Sequence, residues 1–312
     1  MAAAKIKKSS LGRSRPSEHS RLLPSRIVTI QTPKRYLLNG FCLGPKRPQT
    51  VFVFLHGLGG NLFSRVELTS ALVGRDTGVL IFNNRGSGLV SGIRRLPSGS
   101  GRSAKYYASG MAHEVFTECA DDIDGAVAYA RQLGARRIFL LGHSTGCQKS
   151  IYYLAKRPRS QVTGAILLAP MSDYADAELE AGPALYRRAL AAARRLVKAG
   201  KKHELLPRAL WPKPIDAQRF LSLYTPDSQE EIFGYASGRP PRLLQQVKKP
   251  LLVMLAEEDE FRDRPIKEIA AWFKAALARQ KADTLVVKGV SHSFAPRQMA
   301  VKKAIEGWVS KI

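Results

Sequence analysis

Residues 138–156 read IFLLGHSTGCQKSIYYLAK and contain a Gly-x-Ser-x-Gly motif at 142–146. The apolar run Ile138–Leu141 predicts a buried strand before the motif, and Thr145–Lys156 predicts a helix after it. A sharp strand-to-helix turn of this kind holds its serine in a strained backbone conformation, and the flanking glycines keep neighbouring side chains clear. Ser144 is therefore the candidate nucleophile, presented where the N–H groups at a helix start favour negative charge.

Similar apolar runs recur on both sides of this stretch and alternate with helical stretches. The other predicted core strands are Val51–Leu55, Val79–Phe82, Ala165–Leu168, Leu251–Leu255 and Thr284–Val287, preceded by a predicted edge hairpin of Ile27–Ile30 and Tyr36–Cys42. The other predicted core helices are Leu62–Val73, Thr117–Leu133, Pro265–Arg279 and Arg297–Ser310. Strands that are apolar throughout, separated by amphipathic helices, are typical of a parallel sheet covered on both faces. The sequence therefore predicts an α/β fold.

One long segment interrupts the alternation, since about eighty residues without a strand-like run separate Leu168 from Leu251. Within it, Ala184–Lys198 predicts an amphipathic helix with apolar residues on one stripe and arginines opposite. An insertion of this size between core strands is most simply a cap over the ligand-binding edge of the sheet. We expect a helical cap over 173–245 and a core formed by 27–172 and 246–312. Residues 1–26, where only Glu18 opposes seven Lys and Arg, are expected to form a basic, flexible arm.

The composition is strongly basic, with 50 Lys and Arg against 25 Asp and Glu and a formal net charge of +25 in 312 residues. This charge is compatible with contact to nucleic acid or an anionic membrane, but no motif indicates either, and no apolar run is long enough to span a bilayer. The three cysteines are an odd number without CxxC spacing, which favours a reducing compartment and a cytoplasmic location. Because no phosphate-binding loop and no metal-ligand cluster is found, no cofactor or metal is predicted.

A serine nucleophile needs a histidine base, and the chain has six histidines, of which His292 is the best placed. His292 lies in the loop between the last strand and the last helix, at the sheet edge where the serine turn also lies. Of the others, His19 lies in the arm, His143 is the variable residue of the serine motif and is expected to point away, and His203 lies in the insertion. His113 precedes the serine in the chain, whereas the base is expected to follow it.

The base in turn needs an orienting acid, expected between serine and histidine in sequence and after another strand. Leu251–Leu255 runs into the sequence AEEDEF, and Asp259 lies where a loop can turn back toward His292. The remaining candidates are Glu257, Glu258, Glu260 and, after the preceding strand, Asp173.

Acyl transfer also needs donors for the oxyanion. The backbone N–H of Thr145, next to the nucleophile, is one candidate donor. The sequence HGLGG at 56–60 follows the strand Val51–Leu55, and its glycines allow close approach of the backbone, so Leu58 N–H is the second. His56 is then expected to be a structural residue that forms a local hydrogen bond.

Taken together, these motifs resemble those of the α/β-hydrolase superfamily of serine hydrolases over roughly residues 50–312. The motifs are HGLGG at 56–60, NNRGSG at 83–88, GHSTG at 142–146, EEDEF at 257–261 and GVSHSF at 289–294. In the second motif Asn83 stands where the superfamily usually has a structural aspartate. A narrower stretch, about 118–175, is similar to an uncharacterised hydrolase family related to fungal siderophore esterases, a similarity that does not extend to the siderophore substrate.

The superfamily resemblance implies an α/β-hydrolase fold with a mostly parallel, eight-stranded sheet and a cap inserted after the sixth strand. It also implies that Ser144, with His292 and Asp259, attacks a carboxylic ester of a small-molecule substrate and forms an acyl-enzyme. The same triad serves thioesterases, lipases, amidases and peptidases, so these remain alternatives. The alternative from a different functional class is a non-catalytic basic protein that binds nucleic acid or anionic lipid. Such binding does not require the triad.

Overall fold

The computed structural model describes residues 23–99 and 103–312. Ten strands in these ranges form one sheet: β1 (Ser25–Gln31), β2 (Tyr36–Leu43), β3 (Thr50–Leu55), β4 (Thr77–Phe82), β5 (Ser91–Arg95), β6 (Lys105–Ser109), β7 (Arg137–His143), β8 (Gly164–Leu168), β9 (Leu251–Ala256) and β10 (Ala282–Val287). Their order is β10-β9-β8-β7-β3-β4-β2-β5-β6, and β1 pairs with β2. The strands from β10 to β4 pair in parallel, whereas β1, β2, β5 and β6 pair antiparallel. The predicted fold class is confirmed.

The predicted number of strands needs correction from eight to ten. All eight predicted strands are present, and β5 and β6 are additional. In β5 only Ile93 is buried, and in β6 only Ser109 is buried. Neither strand therefore has the apolar run or the alternation by which a strand is recognised in sequence. They form because each pairs with a neighbour, β5 with β2 and β6 with β5.

Nine helices occur in the described ranges: α1 (Val66–Ala71), α2 (Cys119–Gln132), α3 (Thr145–Lys156), α4 (Asp173–Ala181), α5 (Pro183–Lys198), α6 (Ala217–Tyr224), α7 (Arg242–Gln246), α8 (Ile266–Ala276) and α9 (Gln298–Val309). Two apolar clusters lie on the two faces of the sheet, because successive strand side chains point in opposite directions. In β3, Val51 and Val53 belong to the cluster that includes residues of α2, α3, α7 and α8, whereas Phe52 belongs to the cluster with α1 and α9. Helices therefore cover both faces.

The insertion between β8 and β9 contains α4 to α7. Tyr186, Trp211, Phe220 and Tyr224 pack together there in a third apolar cluster. By contrast, the insertion's Phe233 and Tyr235 pack into the core cluster with α2 and α3. The division of the chain into arm, core and cap stays a prediction. Of the arm, residues 1–22 lie outside the described residues, and Ser25 and Arg26 begin β1.

Two further features are the lengths of the apolar helices and the state of the cysteines. No helix in the described part of the chain is long and apolar enough to cross a bilayer. The three cysteines, Cys42, Cys119 and Cys147, are all buried, and none forms a disulfide.

Candidate active site

The candidate nucleophile lies in the turn between β7 and α3. Ser144 has φ 54° and ψ −126°, a conformation that non-glycine residues rarely adopt and that costs on the order of 1–3 kcal/mol. This is the strained turn that the motif predicts. A Cβ on Gly142 would lie 2.8 Å from the backbone nitrogen of Cys147, and one on Gly57 would lie 2.8 Å from Ser144 Cβ. Side chains at these positions would therefore displace the turn.

His292 lies in the loop between β10 and α9 and is only 5% exposed. Its Nδ1 is 2.8 Å from Oδ2 of Asp259, which is also buried. The other carboxylate oxygen, Oδ1 of Asp259, accepts a hydrogen bond of 3.0 Å from the backbone N–H of Phe261. The carboxylate is thus fixed by its own loop and faces the ring nitrogen of His292.

The competing carboxylates have other partners. Glu257 accepts from the backbone N–H of Gly289 at 2.9 Å, and Glu260 accepts from the backbone N–H of His292 at 2.9 Å. Glu258 is exposed. Asp173 accepts from the side-chain amide of Gln148 at 2.7 Å. Among the described carboxylates, Asp259 is the one that forms a hydrogen bond with the His292 ring.

The ring of His292 is held from two sides by aromatic neighbours. His143 and Phe261 each pack edge-on against it, with ring centroids 4.9 Å away in both cases. The expectation that His143 points away from the site is wrong. Its Nε2 lies 2.9 Å from the carbonyl oxygen of His292, which can only accept, so His143 donates a hydrogen bond to the loop of the candidate base.

Burial explains the protonation state of His143. Desolvation lowers its pKa well below the usual range, and the neighbouring charges of His292 and Arg65 lower it further. His143 is therefore neutral at neutral pH, with its proton on Nε2. A neutral ring donates one hydrogen bond without adding a positive charge next to the candidate base.

Three other histidines have positions that fit structural roles. His56 is fully buried and donates from Nδ1 to the carbonyl of Gly57 at 3.0 Å, the local hydrogen bond that was predicted. Burial, together with the charge of Lys149, lowers the pKa of His56 to about 4. His113 and His203 both lie within about 3 Å of Oδ2 of the buried Asp216, in the insertion. The remaining histidine of the sequence analysis, His19, lies outside the described residues.

The two candidate oxyanion donors, Leu58 and Thr145, come from different segments of the chain. Leu58 follows β3 and lines the same cavity as Ser144, and Thr145 is the first residue of α3. Neither backbone N–H donates a hydrogen bond to any of the described residues. The Leu58 side chain packs against the third apolar cluster, so the insertion helps to fix this loop.

Asn83 keeps the structural role expected of it. Its Oδ1 accepts from the backbone N–H of Leu62 at 2.7 Å and so ties the loop after β4 to the segment after Leu58. An amide oxygen makes this hydrogen bond as a carboxylate oxygen would. The difference from the usual aspartate therefore leaves this loop contact intact.

The cavity above the serine has a volume of about 250 Å³. It brings together Ser144, His292 and Leu58, with Met171 and Tyr224 among the other lining residues. The Sδ of Met171 lies 3.9 Å from Ser144 Oγ. No group of three His, Cys, Asp or Glu side chains that could hold a metal ion occurs within 23–99 and 103–312.

Sequence reasoning missed two parts of this cavity. One is a face of α4, where Asp176 and Glu180 line the wall together with Asp173, which the sequence analysis considered only as a competing acid for His292. The start of this helix could have been recognised in the sequence, because serine is a typical N-cap residue. In the structure Ser172 accepts a hydrogen bond from the backbone N–H of Ala175. The other part is Arg65, a cavity-lining residue with φ 61°, which no local motif indicates.

Burial also affects the carboxyl groups of this wall. It raises the pKa of Asp173 well above the usual range, and it raises the pKa of Asp176, with a further contribution from Glu180. Glu180 itself forms an ion pair of 2.7 Å with Lys213. The α4 wall is thus rich in carboxyl groups in a chain whose overall charge is strongly positive.

A family model described as "Protein of unknown function (DUF1749)" matches residues 103–310, about two thirds of the chain. The chain belongs to this family. The match begins after β5 and includes the serine turn, the Asp259 loop and the His292 loop of this DUF1749 member. No curated protein matches it.

Several solved structures have the same fold as this DUF1749 chain. The siderophore hydrolase EstB from Aspergillus fumigatus is 20% identical, with a TM-score of 0.63, and the match covers 94% of this chain and 98% of EstB. The Pyrococcus furiosus esterase Pf2001 is 15% identical, with a TM-score of 0.59 and coverage of 96% and 95%. Est1E from Butyrivibrio proteoclasticus, solved with ferulic acid bound, is 16% identical, with a TM-score of 0.59 and coverage of 91% and 98%. The resemblance to α/β hydrolases is confirmed, and at these identities it shows the fold.

Proposed function

We propose that this chain is a serine hydrolase that cleaves a carboxylic ester of a small molecule through Ser144, His292 and Asp259. The observation that carries the proposal is the hydrogen bond of 2.8 Å between His292 and Asp259, on a ring that lines the same cavity as a serine in a strained turn. A buried carboxylate on Nδ1 leaves Nε2 of His292 as the proton acceptor. A histidine on the solvated surface forms hydrogen bonds with water and does not require a buried carboxylate on Nδ1.

In the first step, Ser144 Oγ attacks the ester carbonyl carbon and its proton passes to Nε2 of His292. Asp259 holds the ring in the required tautomer and stabilises the positive charge that forms on it. The backbone N–H groups of Leu58 and Thr145 donate to the oxyanion of the tetrahedral intermediate. When this intermediate collapses, the C–O bond of the ester breaks and the leaving alcohol takes the proton from His292.

In the second step, water replaces the alcohol. His292 removes a proton from the water, the hydroxide adds to the acyl carbon, and the same two N–H groups stabilise the second oxyanion. Collapse returns the proton to Ser144 Oγ and releases the carboxylic acid. His292 accepts and returns the proton in each of these two steps.

The size of the cavity favours a short acyl group. Its volume of about 250 Å³ lies below the range of roughly 300–1,000 Å³ that is common for sites of drug-sized ligands. We therefore expect acetyl to hexanoyl esters to be hydrolysed faster than palmitoyl esters. Among the alternatives with the same triad, a lipase acting on long chains fits this cavity least well.

Hydrolysis of p-nitrophenyl esters from acetate to palmitate tests the proposal, with Ser144→Ala as the variant. Ser150→Ala is the matched control, because Ser150 lies in the same helix, is buried and donates to the carbonyl of Gly146. We expect Ser144→Ala to lose turnover and Ser150→Ala to keep it. Activity that survives in Ser144→Ala would overturn the proposed nucleophile.

A fluorophosphonate probe covers the case of a substrate that resembles none of these esters. Such a probe reacts with an activated serine whatever the natural acyl group. Intact mass and peptide mapping should show one adduct, on Ser144, in the wild type and in Ser150→Ala. A folded wild type that neither takes up the probe nor hydrolyses an ester is not a serine hydrolase, and binding to nucleic acid or anionic lipid would then be examined.

A further inference from the structure

Arg65 lines the cavity of the candidate active site beside Ser64 and close to His143. It lies between the loop that contains Leu58 and the first turn of α1. Its side chain is half-buried. A charged side chain in this position is within the space where a substrate of the proposed reaction would bind.

The backbone of Arg65 is strained. Its φ of 61° and ψ of 31° lie in the left-handed region, where a residue with a Cβ costs roughly 1–2 kcal/mol more than in the right-handed region. Glycine would occupy this position without that cost. Its backbone carbonyl accepts from the N–H of Thr69, an interaction that any residue would provide. The arginine side chain is therefore not required by the turn itself.

The guanidinium of Arg65 has no partner among the described residues. Its Nε is buried without a hydrogen-bond acceptor, and no carboxylate oxygen of residues 23–99 and 103–312 lies within 4.0 Å to form an ion pair. Burial lowers the pKa of Arg65, while the more distant charges of Glu260 and Glu67 oppose this shift. Glu260 is already bonded to the backbone of His292. A buried Nε–H without an acceptor is unfavourable, so an anion that accepts from this guanidinium would be stabilised in the cavity.

The other charged residues of the cavity make Arg65 the favourable position for an anion. Lys213, the other cation in the lining, is paired with Glu180 at 2.7 Å. Asp173 and Asp176 lie on the same wall and offer no positive charge to an anion. An anionic group of a substrate is therefore attracted to Arg65 rather than to the wall formed by α4.

We propose that Arg65 is a substrate-binding residue that recognises a carboxylate on the ester cleaved at Ser144. The planar guanidinium presents several N–H donors in a fork that matches the two oxygens of a carboxylate. The inference rests on the proposed function and adds a substrate class to it, an ester that carries a free carboxylate. The carboxylate belongs either to the acyl chain or to the leaving alcohol.

Matched pairs of esters test this specificity. Mono-4-nitrophenyl adipate and 4-nitrophenyl hexanoate have six-carbon acyl chains that end in a carboxylate and a methyl group. A third ester, 3-carboxy-4-nitrophenyl hexanoate, carries the carboxylate on the leaving group. We expect the wild type to prefer one of the two anionic esters by roughly 10- to 100-fold in kcat/KM, after correction for uncatalysed hydrolysis. The ester that is preferred identifies which side of the ester lies beside Arg65.

The variants Arg65→Met and Arg65→Lys separate recognition from catalysis. Arg65→Met should reduce the preference for the anionic ester over 4-nitrophenyl hexanoate to within about threefold. Arg65→Lys keeps the charge but not the fork and should give an intermediate preference. Arg75→Met removes the same charge from an exposed arginine outside the cavity and should leave the preference unchanged.

The outcomes distinguish this inference from the proposed function. Loss of 4-nitrophenyl hexanoate hydrolysis in Ser144→Ala supports the proposed hydrolase function, independently of the results for the Arg65 variants. A wild type without preference for either anionic ester, or a preference that persists in Arg65→Met, overturns the role of Arg65 alone. If Arg65→Met does not fold, the role of Arg65 is tested by the wild-type preference for an anionic ester and by its reduction in Arg65→Lys. A preference that is not reduced in Arg65→Lys then overturns this role.

Discussion

The Nε2–H of His143 donates a hydrogen bond of 2.9 Å to the backbone carbonyl of His292. The variable residue of the serine motif is thus bonded to the loop that holds the candidate base. Because His143 immediately precedes Ser144, this bond connects the serine turn to the loop of the candidate base. The backbone N–H of His292 is bonded to Glu260, so both backbone polar groups of the base have partners.

Replacing His143 by Phe should impair catalysis more than folding. The substitution keeps an aromatic ring against His292 but leaves a buried carbonyl without a donor, which costs about 1–3 kcal/mol. We expect kcat for a short ester to fall roughly tenfold or more. His143→Gln retains an N–H donor and should recover most of this loss. Equal kcat values for the two variants would show that the hydrogen bond has no role in positioning His292.

Asp259→Asn tests the orienting acid. The amide oxygen can still accept from the backbone N–H of Phe261, so the loop should keep its conformation. An amide on Nδ1, however, favours the tautomer in which Nε2 carries the proton and cannot act as a base. We expect kcat to fall by roughly 10³- to 10⁴-fold with little change in thermal stability.

The neighbouring carboxylate provides the control for this prediction. Glu258 is exposed, and Glu258→Gln makes the same chemical change one residue earlier. Its kcat should remain within about twofold of the wild type. If Glu258→Gln and Asp259→Asn have similar kcat values, Asp259 is not the acid of the site.

The parts of this molecule that sequence reasoning predicted are those that local sequence determines. The eight predicted strands are apolar runs, and Ser144 lies in a turn whose glycines are required by close backbone contacts. In contrast, β5 and β6 are held by pairing with other strands, which no local pattern indicates. The left-handed conformation of Arg65 depends on how the whole loop packs. Sequence order alone also left several acids open near 257–260, because a loop's conformation decides which of them faces His292.

The buried His56 should make the stability of the fold depend on pH. Its pKa falls from 6.5 in the unfolded chain to about 4 in the folded one. Between these values the unfolded state binds more protons, so stability rises with pH across this window and is lost as pH falls from about 6.5 to about 4. The full effect is about 3 to 4 kcal/mol, because each pKa unit corresponds to about 1.4 kcal/mol.

Urea unfolding of the wild type and His56→Gln at pH 4, 5, 6 and 7 measures this effect. Burial raises the pKa of Asp122 to about 6 and that of Glu231 to about 7, so these groups have the opposite dependence in an overlapping range. Their contribution cancels in the difference between the two proteins. The wild type should lose stability relative to His56→Gln as pH falls. A difference that is the same at all four pH values would contradict the buried, neutral state of His56.

Arg219 links the insertion to the core through buried charges, and its removal should destabilise the fold. Its guanidinium pairs with Glu230, also in the insertion, and lies 3.0 Å from Glu114, which forms a 2.5 Å ion pair with Lys149 of α3. Arg219→Met leaves Glu230 buried without a counter-charge, which costs about 3–5 kcal/mol in the free energy of unfolding. Adding Glu230→Gln removes that unpaired charge and should recover part of the loss. Urea unfolding of both proteins measures the two effects, and a loss below about 1 kcal/mol in Arg219→Met would contradict a stabilising role for this pair.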